Sequence, residues 1–124
     1  MKLASLTDNL QYHESRPTIQ VLFETETGKE IRIAFKEGHV MKEHKTPFSI
    51  VVEVFDGAIE FGVNGEVHSL KRGDLITLAG GVPHDLKALE TSTVRLSLNK
   101  GDSIRRVEDV ANQSGAVKIE RENY

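Results

Sequence analysis

The feature that most constrains this chain is a series of short β-forming runs crowded into about eighty residues: "IQVLFET" (19–25), "IRIAF" (31–35), "SIVVEVF" (49–55), "AIEFGV" (58–63), "VHSL" (67–70), "LITLA" (75–79), "HDLKAL" (84–89) and "TVRLSL" (93–98). Each is rich in β-branched or aromatic residues, and turn-forming groups separate them, among them "ETGKE", "FKEG", Asp56-Gly57, "KRGD" and Gly80-Gly81. Asn64-Gly65 between two alternating runs predicts a two-residue type I′ hairpin, because both central residues of that turn need positive φ. Regular spacing with no helical pattern between the strands argues for an all-β antiparallel sandwich or jelly-roll β-barrel rather than a parallel α/β sheet. After residue 100 the periodicity changes. Ile104, Val107, Val110 and Ala111 recur at three- and four-residue steps, with Asp102 or Ser103 placed to cap, which predicts a short C-terminal helix over about 103–112. The chain thus divides into an N-terminal segment (1–18), a β-barrel (19–99) and a C-terminal helix and polar tail (100–124), the tail's structure being left open.

A chain of 124 residues is the size of one domain with a genuine core. Its net charge of −3 is spread along the sequence and forms no basic stripe able to neutralise successive phosphates, so nucleic acid is not an expected partner. There is no cysteine, which excludes disulfides and thiolate metal sites and leaves imidazole and carboxylate as the only metal donors. The apolar start of "MKLASLTDNLQYHES" is too short for a signal h-region and no eighteen-residue apolar run occurs, so a cytoplasmic protein without a membrane span is expected.

Two separated patterns carry a family resemblance. Gly38, five residues, His44-Lys45-Thr46, three residues, Ile50, six residues and Gly57 follow one spacing, and Gly73, five residues, Ala79-Gly80-Gly81, Val82-Pro83, His84, three residues and Ala88 follow the other. Together they resemble the two motifs of the cupin superfamily, of the small single-domain type with one conserved barrel. The resemblance implies a jelly-roll barrel and, in metal-binding members, four ligands: two His and a Glu from the first motif and one His from the second. Here those four places hold His44, Thr46, Ile50 and His84, so two of four ligands remain. Thr46 carries a short neutral hydroxyl that is a poor direct ligand, and Ile50 cannot coordinate.

Two readings of His44 and His84 stay open: a pair of ligands for a divalent metal (Zn, Fe, Mn or Ni) completed by water or a bound molecule, or a metal-free pair lining the polar end of a cavity. His39 and His68 are read as surface or satisfied core residues, and His13 as solvated. Glu53 and Glu43 have the wrong strand parity to face the interior without a bulge, and Asp85 is read as facing solvent or an interface. If alternation holds along 44–54, the interior receives His44, Thr46, Phe48, Ile50, Val52 and Val54, joined by Leu86, Ala88 and His84. The ligand-binding candidates are therefore Thr46, Phe48, Ile50, Val52 and Leu86, in an apolar cavity with a polar mouth suited to a small molecule. The alternative is a metal-dependent enzyme, resembling cupin dioxygenases or isomerases, with an unrecognised third ligand. A separate regulatory role would need a partner protein, and an epimerase-like reaction would need a cavity tyrosine, whereas Tyr12 and Tyr124 lie near the termini. A homodimer is expected, since a second chain would cover edges such as "IQVLF".

Overall fold

The computed structural model describes residues 1–115. The described chain forms nine strands and one helix: β1 (Thr18–Glu24), β2 (Gly28–Phe35), β3 (Val40–His44), β4 (Ile50–Asp56), β5 (Ala58–Val63), β6 (Glu66–Lys71), β7 (Leu75–Leu78), β8 (His84–Ala88), β9 (Ser92–Asn99) and α1 (Ile104–Ser114). They make two antiparallel sheets, β1-β2-β9-β4-β7 and β3-β8-β5-β6, in a jelly-roll arrangement. Strand alternation fills the space between them. Ile31, Ile33 and Phe35 from β2, Ile50, Val52 and Val54 from β4, and Val94, Leu96 and Leu98 from β9 meet Met41, Ile59, Phe61, Leu86 and Ala88 of the other sheet, all buried.

Most strands fall where the β-forming runs place them, and Asn64 and Gly65 both take positive φ (52° and 78°), as a type I′ turn requires. The strand β3 is an addition. Its sequence, "VMKEH", has only two apolar residues and reads as loop, yet it pairs with β8 and is backed by α1. The backbone N–H of Lys42 donates to Ser114 Oγ at 2.8 Å, and that of Val40 to the Gly115 carbonyl at 3.2 Å, so both strand and helix end are tied together. The helix follows the expected period, burying Val107 and Ala111 in the barrel core with Ile104 and Val110 packed against it. Ser103 occupies the cap position without a side-chain cap bond. No helix among the described residues is long and apolar enough to cross a membrane.

The N-terminal segment is not merely solvated. Arg32 points outward from β2, is only 3 % exposed, and donates through Nη1 to the carbonyls of Ser5 (3.0 Å) and Asp8 (2.8 Å) and through Nη2 to the carbonyl of Asn9 (3.3 Å) and to Gln20 Oε1. His39, also buried, accepts the Lys36 N–H at Nδ1 (2.9 Å) and donates from Nε2 to the Glu14 carbonyl (3.1 Å). These two side chains fasten the arm over the first sheet.

Close approach demands glycine at Gly57 and Gly80 among other positions. Gly57 has φ +95°, and a Cβ there would overlap the Ser92 side chain, whose Oγ accepts the Ala58 N–H at 3.1 Å. At Gly80 a Cβ would overlap the Pro47 carbonyl, while the neighbouring Gly81 N–H donates to the Thr46 carbonyl at 2.7 Å. Substituting alanine at Gly57 should therefore cost more than the same change at Gly65, which has φ +78° but open space around it. The expected losses are about 3 kcal/mol and about 1 kcal/mol respectively, read from urea unfolding midpoints. Equal losses would mean that the Ser92 contact adds nothing to the backbone strain.

Candidate functional site

His44 ends β3 and His84 begins β8, and the two are direct partners in the strand register. Their rings lie edge to face with centroids 4.3 Å apart, and His84 is held from its other side by Phe61, nearly parallel at 5.6 Å. Each imidazole is oriented by backbone: Nδ1 of His44 donates to the Lys42 carbonyl at 2.6 Å and Nδ1 of His84 to the Val82 carbonyl at 3.0 Å. With the proton fixed at Nδ1, each Nε2 presents a lone pair. Burial lowers the His44 pKa to about 4, with smaller contributions in the same direction from His84 and Arg106. Burial also lowers the His84 pKa, and Arg106 adds to it. Both rings are neutral acceptors at physiological pH.

The residue that completes this end of the barrel is Arg106, which the sequence reading missed. It lines the same small cavity as His44, His84, Ile50, Val52 and Leu86. Its Nε and Nη2 donate to the two carboxylate oxygens of Asp102, each at 3.0 Å. That leaves Nη1 with no acceptor among the described residues. Asp102, 5 % exposed, also accepts the Thr46 hydroxyl at 2.6 Å and the Ser103 N–H at 2.8 Å. Burial would push its pKa up, but the bonds from Arg106, Thr46 and Ser103 outweigh it and hold the carboxyl below the usual range.

This geometry corrects part of the expected lining. β3 stops at His44 and β4 starts at Ile50, with residues 45–49 outside both strands, so alternation does not run through 44–54. Ile50, Val52 and Val54 face inward, and Ile50, Val52 and Leu86 line the cavity. Thr46 and Phe48 do not line it. Thr46 is buried against Asp102, and Phe48 is half-buried against Gly101. The cavity itself is about 20 Å³, room for roughly one water, because Arg106 and Val107 of α1 close it.

The other candidates lie elsewhere. Both ring nitrogens of His39 are engaged in holding the N-terminal arm, and His68 is exposed on β6, with Nε2 3.8 Å from Glu66. Glu53 faces outward in an ion pair with Arg95 at 2.8 Å, and Asp85 and Glu43 are exposed. Tyr124 lies outside the described residues.

The Cupin_2 family model, a cupin domain, matches residues 31–104, the stretch from β2 to the start of α1 that holds both histidines. The chain belongs to the cupin family. Among solved structures it resembles an RmlC-like cupin from Desulfovibrio desulfuricans (TM-score 0.74, 22 % identity, covering 80 % of this chain and 96 % of that one). It also resembles a conserved double-stranded β-helix protein from Klebsiella pneumoniae (0.72, 20 %, 82 % and 87 %) and KdgF from Halomonas sp. (0.63, 21 %, 71 % and 89 %). At these identities the likeness is one of fold. No curated protein matches the chain.

The residues of this cupin do not fit the four-ligand metal centre that the resemblance implies. No group of three or more His, Asp or Glu among the described residues is placed to hold a metal ion. The two imidazoles stand with an apolar Ile50, a Thr46 hydroxyl committed to Asp102, and a guanidinium that a cation would have to approach.

The pKa of His44 sets a pH dependence. Its folded value, about 4, lies below the unfolded 6.5, so the unfolded chain takes up its proton first as pH falls. Stability from this group is complete above pH 6.5 and declines toward pH 4. His44→Gln should flatten that decline in thermal unfolding measured across this window. An unchanged slope would show that His44 is not held neutral by burial.

Proposed function

We propose that this cupin binds a small hydroxylated carboxylate at the polar end of its barrel, without a resident metal. The observation that carries this reading is the convergence of three polar side chains on one otherwise apolar cavity: His44 and His84, each with Nδ1 bonded to backbone, and Arg106, with Nε and Nη2 bonded to Asp102. Neutral imidazoles with Nδ1 already donating are acceptors, so they select a ligand that brings O–H donors. The guanidinium selects an anion, and a carboxylate on Nη1 makes a charge-assisted bond in a partly desolvated site. A hydroxy acid supplies both in a few atoms. Ile50, Val52 and Leu86 would contact its carbon chain.

The closed cavity is smaller than any such ligand, so entry requires α1 to move from the mouth. Gly101 precedes the helix and Asp102 latches it to Thr46, which makes the loop 100–103 the natural hinge and the Thr46 bond the contact that resists opening. A metal-dependent dioxygenase or isomerase would need ligands that positions 46 and 50 do not provide.

Glycolate is a sufficient probe. Its titration should shift the imidazole ¹⁵N resonances of His44 and His84 saturably, and Arg106→Gln should weaken binding about tenfold or more, as expected for loss of a charged hydrogen bond. Elemental analysis of protein purified without chelator or metal resin should give substoichiometric metal, unchanged in His84→Ala. Stoichiometric metal that disappears in His84→Ala would overturn the metal-free reading. Glycolate binding indifferent to Arg106→Gln would overturn the assignment of the anion site.

A further inference from the structure

A much roomier opening than the barrel cavity lies outside the barrel. A hollow of about 460 Å³ lies between the N-terminal arm, β1, β2 and α1, within the size range of small-molecule sites. It is lined on one side by Gln11, Arg16, Gln20 and Arg32 and on the helix side by Glu108 and Asn112.

Its charges are unbalanced in a particular way. Arg32 is almost wholly buried, yet every acceptor of its Nη hydrogens is a neutral oxygen: three backbone carbonyls and the Gln20 amide. No carboxylate lies within ion-pair distance of it among the described residues. Arg16, half-buried on the same wall, has no hydrogen-bond or ion-pair partner there. A buried cation is ordinarily paired, because carbonyl dipoles replace its hydration without neutralising its charge. Two guanidinium groups without a counter-anion among the described residues thus line one hollow. Across from them Glu108 makes no ion pair among the described residues, so the two signs flank the hollow without meeting. His13 also lines the hollow and offers Nε2 as a donor, its Nδ1 being taken up in accepting the Ser15 N–H at 3.1 Å.

We infer that this hollow is a second ligand site, separate from the barrel mouth, for a small carboxylate whose far end carries a hydrogen-bond donor. The carboxylate lies against Arg16 in the field of Arg32, and the donor end, ammonium or hydroxyl, turns toward Glu108 and Asn112. The side-chain amides of Gln11 and Gln20 can bond either kind of group.

The test is a ¹⁵N amide titration of the full chain with two probes, gluconate for the hydroxyl arm and β-alanine for the ammonium arm. At least one should give saturable shifts at Gln11, Thr18 and Gln20. Arg16→Gln, at a half-buried residue with no partner to lose among the described residues, should weaken that binding about tenfold or more. Glu108→Gln then identifies the far end: weaker binding of β-alanine with gluconate unaffected assigns an ammonium, and saturable binding of gluconate alone assigns hydroxyls. No saturable shift with either probe, shifts confined to the residues around His84, or an affinity indifferent to Arg16→Gln would each overturn the second site. Failure of glycolate at His44 and His84 would leave this inference standing, since the two sites share no side chain.

Discussion

The barrel mouth depends on one buried carboxylate. Asp102 receives four hydrogen bonds, from the Thr46 hydroxyl, the Ser103 N–H and two nitrogens of Arg106, and thereby joins the loop after β3, the start of α1 and the cation that faces both histidines. A carboxylate out of water is costly unless its oxygens are satisfied, and this one is satisfied so fully that its pKa falls rather than rises. The same bonds fix the helix in place. Val107 and Ala111 reach the core only because the chain turns at residues 100–103 in the geometry that Asp102 holds, and their burial in turn reduces the interior to the volume of about one water. The apolar seal and the polar latch are therefore one arrangement seen from two sides. Arg106 is locked at Nε and Nη2 so that Nη1 is presented, and the neutral state of both imidazoles owes part of its origin to that fixed positive charge.

How much of this could be read from sequence follows from the range of the interactions. The strands on either side of Asn64-Gly65 and the helix carrying Ile104, Val107, Val110 and Ala111 were legible because their periods of two and 3.6 are local properties. That His44 and His84 belong to one pair was legible through the two motifs that resemble the cupin family, while the β3–β8 register that sets them side by side was not. What was not legible is what the loops do. β3 is too charged and too short to declare itself, and it exists because α1 and β8 flank it. Thr46 and Phe48 were expected inside by extending alternation through residues that belong to no strand. Arg106 carries no signature at all: its partner Asp102 lies four residues earlier, in the turn before the helix, but the histidines it faces lie twenty or more residues earlier.

The N-terminal arm shows the same logic on the other side of the first sheet. β2 is buried on both faces, with Ile31, Ile33 and Phe35 inward and Arg32 and Ala34 outward. An outward arginine in a strand ordinarily reads as a solvated position. Here it is covered because its donors satisfy three carbonyls of an irregular segment that has no ladder of its own. His39 does the equivalent at Glu14, which is why a buried histidine close in sequence to His44 takes no part in the site. Among the described residues no buried side-chain nitrogen or oxygen is left without a partner, so these polar anchors replace apolar packing without an unpaired group.

The two departures from the family's ligand pattern are physically coupled. Ile50 sits among Val52, Leu96 and Leu98, where a carboxylate would give up apolar packing and pay for its own desolvation before it gained a metal. Thr46 cannot become a ligand without abandoning Asp102, and a histidine in its place would leave that carboxylate short of a donor and loosen the helix that carries Arg106. Restoring either position alone therefore subtracts from the existing network before it adds a metal donor. A chain in which 46 and 50 had merely lost their ligands would leave their partners unsatisfied or the space empty. In this one the hydroxyl, the carboxylate and the guanidinium satisfy one another, and the isoleucine is part of the core. The polar end is accordingly organised around Asp102 and Arg106, with the histidine pair beside them.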